Sequence, residues 1–138
     1  MKVQNDKAKF KDEFNKQVCR FALDVIAFVD RLPGEQTSRI ITDQLVKSTT
    51  SIGANVIEAQ AASSRKDYTN FFTNALKSAN GCKIWLGLFG DSGRGDRETI
   101  NKLLKGSHGD CEDPRHQRVD PEREEVTHVC ILNCHFDF

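Results

Sequence analysis

The chain has 138 residues, of which 38% are hydrophobic and 29% are charged. This composition is typical of one ordinary soluble domain and excludes a disordered or fibrous chain. No apolar run approaches the roughly 18 residues that a membrane-spanning helix needs, and the N-terminal segment lacks the apolar stretch of a secretory signal. Five scattered cysteines do not suggest a disulfide framework. We therefore expect a cytoplasmic protein that does not bind membranes.

The formal net charge of zero conceals two unlike parts of the chain. Residues 1–105 carry 17 basic and 12 acidic side chains, a net charge of +5, whereas residues 106–138 carry 3 and 8, a net charge of −5. A shift of this kind within one chain indicates segments of different character. We predict a helix-bundle domain over residues 1–105 and a tail outside the fold over residues 106–138.

Apolar residues spaced three or four apart predict a first long helix. This seam consists of Phe10, Phe14, Val18, Phe21, Val25, Phe28 and Leu32. Pro33-Gly34 should end the helix, because proline excludes the helical conformation from the residue before it. Thr37 or Ser38 is the predicted N-cap of the next helix.

Two further seams predict a second and a third helix. The second seam is Ile41, Leu45, Ser48, Ile52, Val56 and Ala59, and the third is Tyr68, Phe72, Ala75, Ala79, Cys82, Leu86 and Phe89. Between them, Ser64 and Asp67 have the spacing of a capping box that opens the third helix. Long apolar seams joined by short turns are typical of antiparallel neighbours in a bundle.

A fourth helix begins but does not continue. Asp91-Ser92-Gly93 predicts a turn, and Asp96 is the predicted cap of a helix over Arg97–Lys105, after which the apolar pattern stops at Gly106. The predicted fold class is all-α, an antiparallel up-and-down helix bundle with three long helices and a truncated or disrupted fourth. Three glycines interrupt helix-forming stretches, each at a cost of about 1 kcal/mol if it lies inside a helix: Gly81, Gly90 and Gly95.

The stretch from Thr37 to Leu104 resembles the four-helix bundle family encoded by intervening sequences of bacterial large-subunit ribosomal RNA genes. The similarity is carried by SIGANVIEAQAASSRKDYTNFFTNALKSAN at 51–80 and by WLGL and DSG within 85–93. Relatives of that family include the accessory variability protein of diversity-generating retroelements, a basic, barrel-shaped pentamer that associates with reverse transcriptase and nucleic acid. The resemblance therefore implies a ring-like homo-oligomer, such as a pentamer, and a connection with RNA or DNA, but no reaction.

The tail has the properties of an out-of-frame translation. GSHGDCEDPRHQRVDPEREEVT at 106–127 has no helical period and contains two prolines. Codons for this segment can be chosen so that a reading one base later gives EATEIAKILAISVLTLRGKK and a stop, which is an amphipathic helix with a basic end. We hypothesise that one extra base after the Lys105 codon replaced the fourth helix with a disordered tail. Sequencing the gene at that codon, and finding no extra base relative to close relatives, would refute this.

Polar residues near the second seam are the first candidates for a site. Asn55 and Glu58 are spaced i and i+3 and share a helix face. They are interpreted as a structural hydrogen-bond network that fixes the register of the helices, with Asn74, Arg65 or Tyr68 as partner. A catalytic role is disfavoured, because residues 1–105 contain no histidine and this face offers neither a nucleophile nor a second acid.

Basic side chains are the candidate nucleic-acid contacts. Arg65 and Lys66 stand at the turn into the third helix and are the first choice, and the others are Lys47, Lys77 and Lys83. The alternative is an ordinary solvated helix surface, which a net charge of only +5 favours. Tyr68, Phe71 and Phe72 could stack on bases, but helical spacing favours core or interface positions.

The sequence predicts no catalytic residue, no cofactor, no metal site and no small-molecule substrate. The cysteines and histidines of the tail, among them Cys130, Cys134 and His135, match no metal-site spacing. The first hypothesis is a non-enzymatic, oligomeric, nucleic-acid-associated accessory module. The alternatives are a self-assembling protein-interaction module without a nucleic-acid role, and the non-functional product of a decayed gene.

Overall fold

The computed structural model describes residues 2–105, with side chains for Asp6 and residues 8–105. This part of the chain is all-α and forms four helices: α1 Lys2–Val29, α2 Gln36–Gln60, α3 Arg65–Asp91 and α4 Arg97–Leu104. The predicted fold class is confirmed, including the short fourth helix. The tail predicted over residues 106–138 lies outside the described residues.

The helices follow one another around the bundle. α2 packs against α1 and most extensively against α3, while α4 packs against α3 and returns to contact α1. Contacts of Ser51 with Ser78 and of Thr49 with Cys82 show that α2 and α3 run antiparallel, because the later residue of one meets the earlier residue of the other. With a rise of about 1.5 Å per residue, α1 to α3 are roughly 40 Å long and α4 only about 12 Å.

Most residues of the predicted seams form the hydrophobic core, but Val18 and Leu32 of the first seam are half-buried and Phe10 is 40% exposed. Phe10 lies beyond the end of α2, because Asn15 already pairs with Gln60, the last residue of that helix.

All of the third seam except the half-buried Tyr68 is buried, as is all of the second except Ile41 and Ser48. α4 adds the buried side chains of Ile100 and Leu103. Phe28 and Phe89 meet edge to face with ring centroids 5.7 Å apart, an arrangement that aromatic pairs favour. The end of the bundle near the α1–α2 turn is therefore closed by residues from α1, α3 and α4.

The α1–α2 turn corrects the predicted cap of α2. α1 ends at Val29, before Pro33, and the N-cap of α2 is Glu35, whose side chain makes no capping hydrogen bond. Ser38 lies inside α2 and is 1% exposed, and its hydroxyl has no hydrogen-bond partner among the described residues. The prediction of Thr37 or Ser38 as the cap is wrong, because tertiary packing draws Ser38 into the core.

The other predicted helix ends are confirmed. Ser64 Oγ accepts a hydrogen bond from the backbone N–H of Asp67 at 3.1 Å, and Asp96 caps α4 by accepting from the backbone N–H of Thr99 at 2.9 Å. α3 ends in a Schellman motif, in which Gly93 has a φ of +67° and the N–H of Arg94 donates to the carbonyl of Phe89.

Candidate functional site

Small polar side chains join α2 to α3 along a close seam. A Cβ atom on Gly81 would lie 3.1 Å from Ser48 Oγ, so the two helices approach closely there. Ser78 Oγ donates to Ser51 Oγ at 2.9 Å. The Asn55 amide donates to the Ser51 carbonyl at 2.8 Å and to Ser51 Oγ at 3.1 Å. The result is a chain of hydrogen bonds that spans α2 and α3.

The residues in this series of hydrogen bonds differ from those of the predicted network. Asn55 belongs to it, but its partner is Ser51, and Glu58 and Asn74 are exposed and do not hydrogen bond to Asn55. The physical reason is the close approach of α2 and α3, which leaves room between them for hydroxyl and amide groups but not for the longer Glu58 side chain. Ser51 with Ser78, together with Thr49 with Cys82, therefore supplies side-chain hydrogen bonds that match the register of α2 against α3.

Glu58 and Asn74 instead line a shallow pocket beside the α2–α3 turn. The pocket has a volume of about 480 Å³. Its other lining residues are Ala61, Ala62, Ser63, Asp67, Asn70 and Phe71. The charged groups among these are the two carboxylates of Glu58 and Asp67, which repel phosphate. The pocket is therefore poorly suited to a nucleic-acid backbone.

Three of the predicted basic contacts lie on the outer side of the α2–α3 pair. Lys66 and Lys77 are both exposed and stand three helical turns apart on the same side of α3. Lys47 is exposed on α2, where its ammonium group lies 2.7 Å from the Asp43 carboxylate. One of the three charges is thus already balanced by its own helix.

The other two predicted basic contacts lie on a different side of α3. Arg65 and Lys83 are five helical turns apart and share a side that is rotated by about 100° from Lys66. Arg65 stands two residues before Asp67, one of the two pocket carboxylates, and Lys83 is half-buried. The structure therefore distributes the five basic residues over two sides of the bundle.

The aromatic residues of α3 belong to the interior. The Phe72 ring is 4% exposed and packs with Tyr68 at a centroid distance of 4.7 Å and with Phe14 at 6.5 Å. Phe71 is half-buried at the pocket wall. This placement agrees with the core interpretation and leaves no ring of these three fully open for base stacking.

The described cysteines offer no reactive centre built for catalysis. Burial raises the pKa of the Cys82 thiol to about 11, while its hydrogen bond with Thr49, 3.4 Å long, acts in the opposite direction. A thiol in this state is a weak nucleophile at neutral pH. Within residues 2–105, no three histidine, cysteine, aspartate or glutamate side chains are grouped to hold a metal ion. The cysteines and histidines of the tail lie outside the described residues.

Three large aliphatic side chains are exposed on the outer sides of α1 and α2. Leu23 is 65%, Ile26 42% and Ile57 55% exposed. Ile57 lies on the side of α2 that faces α1, because its neighbours there, Gly53 and Gln60, both contact α1: a Cβ on Gly53 would lie 3.7 Å from Val18, and the Gln60 and Asn15 amides hydrogen bond. These contacts place Ile57 beside residues 15–18 of α1, roughly one to two helical turns along the bundle from Leu23. We call Leu23, Ile26 and Ile57 the α1–α2 patch.

A second set is exposed where α2 meets α3. Ile40 is 59%, Ile84 60% and Leu88 43% exposed. Ile84 and Leu88 follow Gly81 at i+3 and i+7 on one side of α3, and Gly81 faces α2. Ile40 stands three turns before Ser51, which contacts α3. We call Ile40, Ile84 and Leu88 the α2–α3 patch.

Sequence reasoning missed both patches. The signal was present, because Leu23 and Ile26 lie off the first seam, and Ile84 and Leu88, spaced i and i+4, lie off the third. A second apolar stripe on an amphipathic helix can be read from its spacing. Which apolar stripes of different helices lie next to each other depends on how the helices pack, and the spacing of residues along one helix does not reveal this.

No described helix combines the length and apolar character that crossing a membrane requires.

Comparisons with known proteins agree with this architecture. Residues 11–108 match the model of a family described as 23S rRNA-intervening sequence protein. A crystal structure from Bacteroides thetaiotaomicron VPI-5482, a protein of unknown function from the S23 ribosomal protein family, superposes with a TM-score of 0.63 at 25% sequence identity. The superposition covers 89% of this chain and 94% of that one. The search of curated proteins finds no match.

Proposed function

This chain belongs to the family of 23S rRNA-intervening sequence proteins, and we propose that it is a non-enzymatic interaction module whose first partner is another copy of itself. The observation that carries the proposal is the pair of outer apolar patches, which expose six aliphatic side chains. These side chains lie off the seams that supply the described hydrophobic core. Two pairs among them, Leu23 with Ile26 and Ile84 with Leu88, are neighbours on one side of a helix, and neighbouring exposed apolar groups on a folded protein mark interaction sites.

The energetics also support self-association. Fully burying one leucine or isoleucine contributes about 2 kcal/mol, and each patch exposes the equivalent of about one and a half such residues. One contact between two patches thus contributes roughly 6 kcal/mol before the cost of association, which is of the same order. A single contact is weak, and an assembly in which each copy uses both patches is favoured.

A nucleic-acid-associated role is the second candidate. Lys66 and Lys77 favour it, because they are exposed and lie on one side of α3. The Lys47–Asp43 ion pair weighs against it, as does the acidic pocket that includes Asp67, two residues after Arg65. Such binding would release counterions, so its affinity would fall steeply with salt. We place this role second because six aliphatic side chains are exposed, whereas only Lys66 and Lys77 favour a basic surface.

Two measurements on the full chain test the proposal. Light scattering coupled to size exclusion, over a range of protein concentrations at neutral pH, should give a mass at least twice the monomer mass of 15.6 kDa. Fluorescence anisotropy with a labelled RNA hairpin and a DNA duplex at low salt should give no salt-dependent binding. A monomer at every concentration contradicts the proposal.

A positive anisotropy result would favour the second candidate. In that case the variant Lys66→Gln with Lys77→Gln should weaken binding and lower the salt slope by about 2, one for each phosphate that the variant no longer neutralises. Lys9→Gln with Lys11→Gln, which removes the same charge from exposed positions of α1, is the matched control and should leave the slope nearly unchanged.

A further inference from the structure

We infer that α4 opens separately from the rest of the bundle: residues 97–104 leave α1 and α3 while the three long helices stay packed, which uncovers the apolar surface beneath Ile100 and Leu103. Such a motion is a sub-global opening, in which one element unfolds at a lower free energy than the whole domain. It does not depend on the proposed self-association, because every contact that it breaks lies within one copy.

Little apolar surface holds α4 against the other described helices. Ile100 and Leu103 are its buried side chains, and Leu104 is half-buried, whereas α2 and α3 each bury six side chains. The hydrophobic free energy scales with the apolar area that is removed from water. Two buried side chains therefore stabilise the docked α4 much less than six stabilise either long helix.

The polar contacts of α4 also leave it free to detach. Lys102 pairs with Glu98 at 2.8 Å within the helix itself. Among the described residues, one ion pair joins α4 to another helix: Arg97 Nη2 lies 4.0 Å from Asp91 Oδ1, and the two side chains are 76% and 85% exposed. Exposed ion pairs contribute little to stability. Opening of α4 therefore breaks no buried polar contact within the part of the chain that the structure describes.

Once detached, α4 cannot remain a helix. It has 8 residues, fewer than an isolated helix needs, because fixing the first turn costs more conformational entropy than its one hydrogen bond offsets. Undocking and unfolding of α4 are therefore a single step. Its backbone amides become accessible to solvent whenever it opens.

The turn before α4 is anchored, which sets where the opening begins. Arg94 Nε lies 3.2 Å from Glu35 Oε2, and this ion pair joins the α3–α4 turn to the α1–α2 turn. Gly95 packs on the core, since a Cβ atom there would lie 3.0 Å from carbon atoms of Phe28 and Leu32. The chain is thus held in place up to Gly95, and the moving segment starts at the next residue.

Hydrogen exchange of the full chain, measured by mass spectrometry on peptides, tests the separate opening. Relative to intrinsic rates, residues 97–105 should exchange at least about 100-fold faster than residues 79–89 of α3. Urea below the unfolding transition should accelerate exchange steeply in α3 and only slightly in α4, because the dependence on urea scales with the surface that an opening exposes. Equal protection of the two segments, or an equal dependence on urea, would overturn the inference.

A core variant far from α4 gives a second test. Val56 is 1% exposed and lies near the α2–α3 turn, at the opposite end of the bundle from the α3–α4 turn. Val56→Ala should accelerate exchange of residues 79–89 by about 10-fold or more, because it destabilises the whole fold. It should leave the rate of residues 97–105 unchanged, because Val56 stays packed while α4 opens. Equal acceleration of both segments would show that α4 opens only when the whole chain unfolds.

Thr50→Ala, an exposed change on the same helix, is the matched control and should alter neither rate by more than about threefold. Circular dichroism verifies that both variants fold. If Val56→Ala does not fold, the dependence on urea in the wild-type chain decides between separate and global opening.

Discussion

At the scale of single residues, Gly95 has a role that the helical pattern does not predict. It lies outside both helices, in the α3–α4 turn, with a φ of +90°. A Cβ atom there would lie 3.0 Å from carbon atoms of Phe28 and Leu32. Glycine is therefore required twice, by the backbone conformation and by the packing of the turn on the core. Inside a helix the same residue would only have lowered stability.

We predict that Gly95→Ala lowers the free energy of unfolding by about 1 to 3 kcal/mol, from backbone strain and overpacking. Gly87→Ala is the matched control, because Gly87 lies within α3 and a Cβ there would meet no atom within 4 Å. That change should raise stability by about 0.5 to 1 kcal/mol, since alanine favours the helix. Urea unfolding of both variants measures the difference, and equal effects would refute the account of Gly95.

At the scale of helices, α4 depends on its N-terminal cap more than the long helices do. It has 8 residues, fewer than a helix needs to persist without tertiary support. Asp96 accepts hydrogen bonds from the side chain and the backbone of Thr99, and these bonds, with a smaller effect of the Arg31 charge, lower the pKa of the Asp96 carboxyl below its ordinary value of 3.8. The cap is thus strongest when this carboxyl is ionised.

We predict that Asp96→Ala lowers the urea midpoint at pH 7, because the backbone N–H of Thr99 loses its partner. A pKa that is depressed in the folded state stabilises the fold above the ordinary value and loses this effect as the pH falls through the folded value. The difference between wild type and Asp96→Ala should therefore shrink below about pH 4. Asp96→Asn keeps a capping group, so its urea midpoint at pH 7 should lie between those of the wild type and Asp96→Ala. A difference that does not change with pH would contradict this account.

At the scale of the molecule, the fourth helix of the bundle is much shorter than the other three. The three long helices have 25 to 28 residues each, whereas α4 has 8 residues, of which Ile100 and Leu103 are buried in the core. The two turns at one end are joined by the ion pair of Arg94 with Glu35, whose nitrogen and oxygen lie 3.2 Å apart. The described part of the bundle is therefore closed by four helices at this end and built from three further along.

We predict that restoring the hidden reading frame, by replacing residues 106–138 with EATEIAKILAISVLTLRGKK, raises helical content and stability. The added apolar residues would contribute on the order of 10 kcal/mol in gross burial, most of which the ordering of the chain offsets. We expect a net gain of about 2 kcal/mol or more in urea unfolding, with stronger helical circular dichroism. A scrambled peptide of the same composition is the control. Equal stability of the restored and present chains would refute the hypothesis of a lost helix.

Comparing this chain with the restored one also tests the decayed-gene alternative. If only the restored chain reaches a defined oligomer by light scattering, the present tail prevents assembly, and the function belongs to intact relatives. If both chains form the same oligomer, the tail must be treated as a genuine part of the protein.

The sequence alone determined the number and type of the helices, most residues of the core, and two of the helix caps. These features depend on local periodicity and on hydrogen bonds between residues three or four apart, such as Ser64 with Asp67, so neighbouring residues suffice to specify them. Tertiary structure decided the rest: the partner of Asn55, the burial of Ser38, the need for glycine at 95, and the assembly of exposed side chains into two patches. Each of these depends on how near one helix comes to another, and that distance is set by the packing of all the seams together.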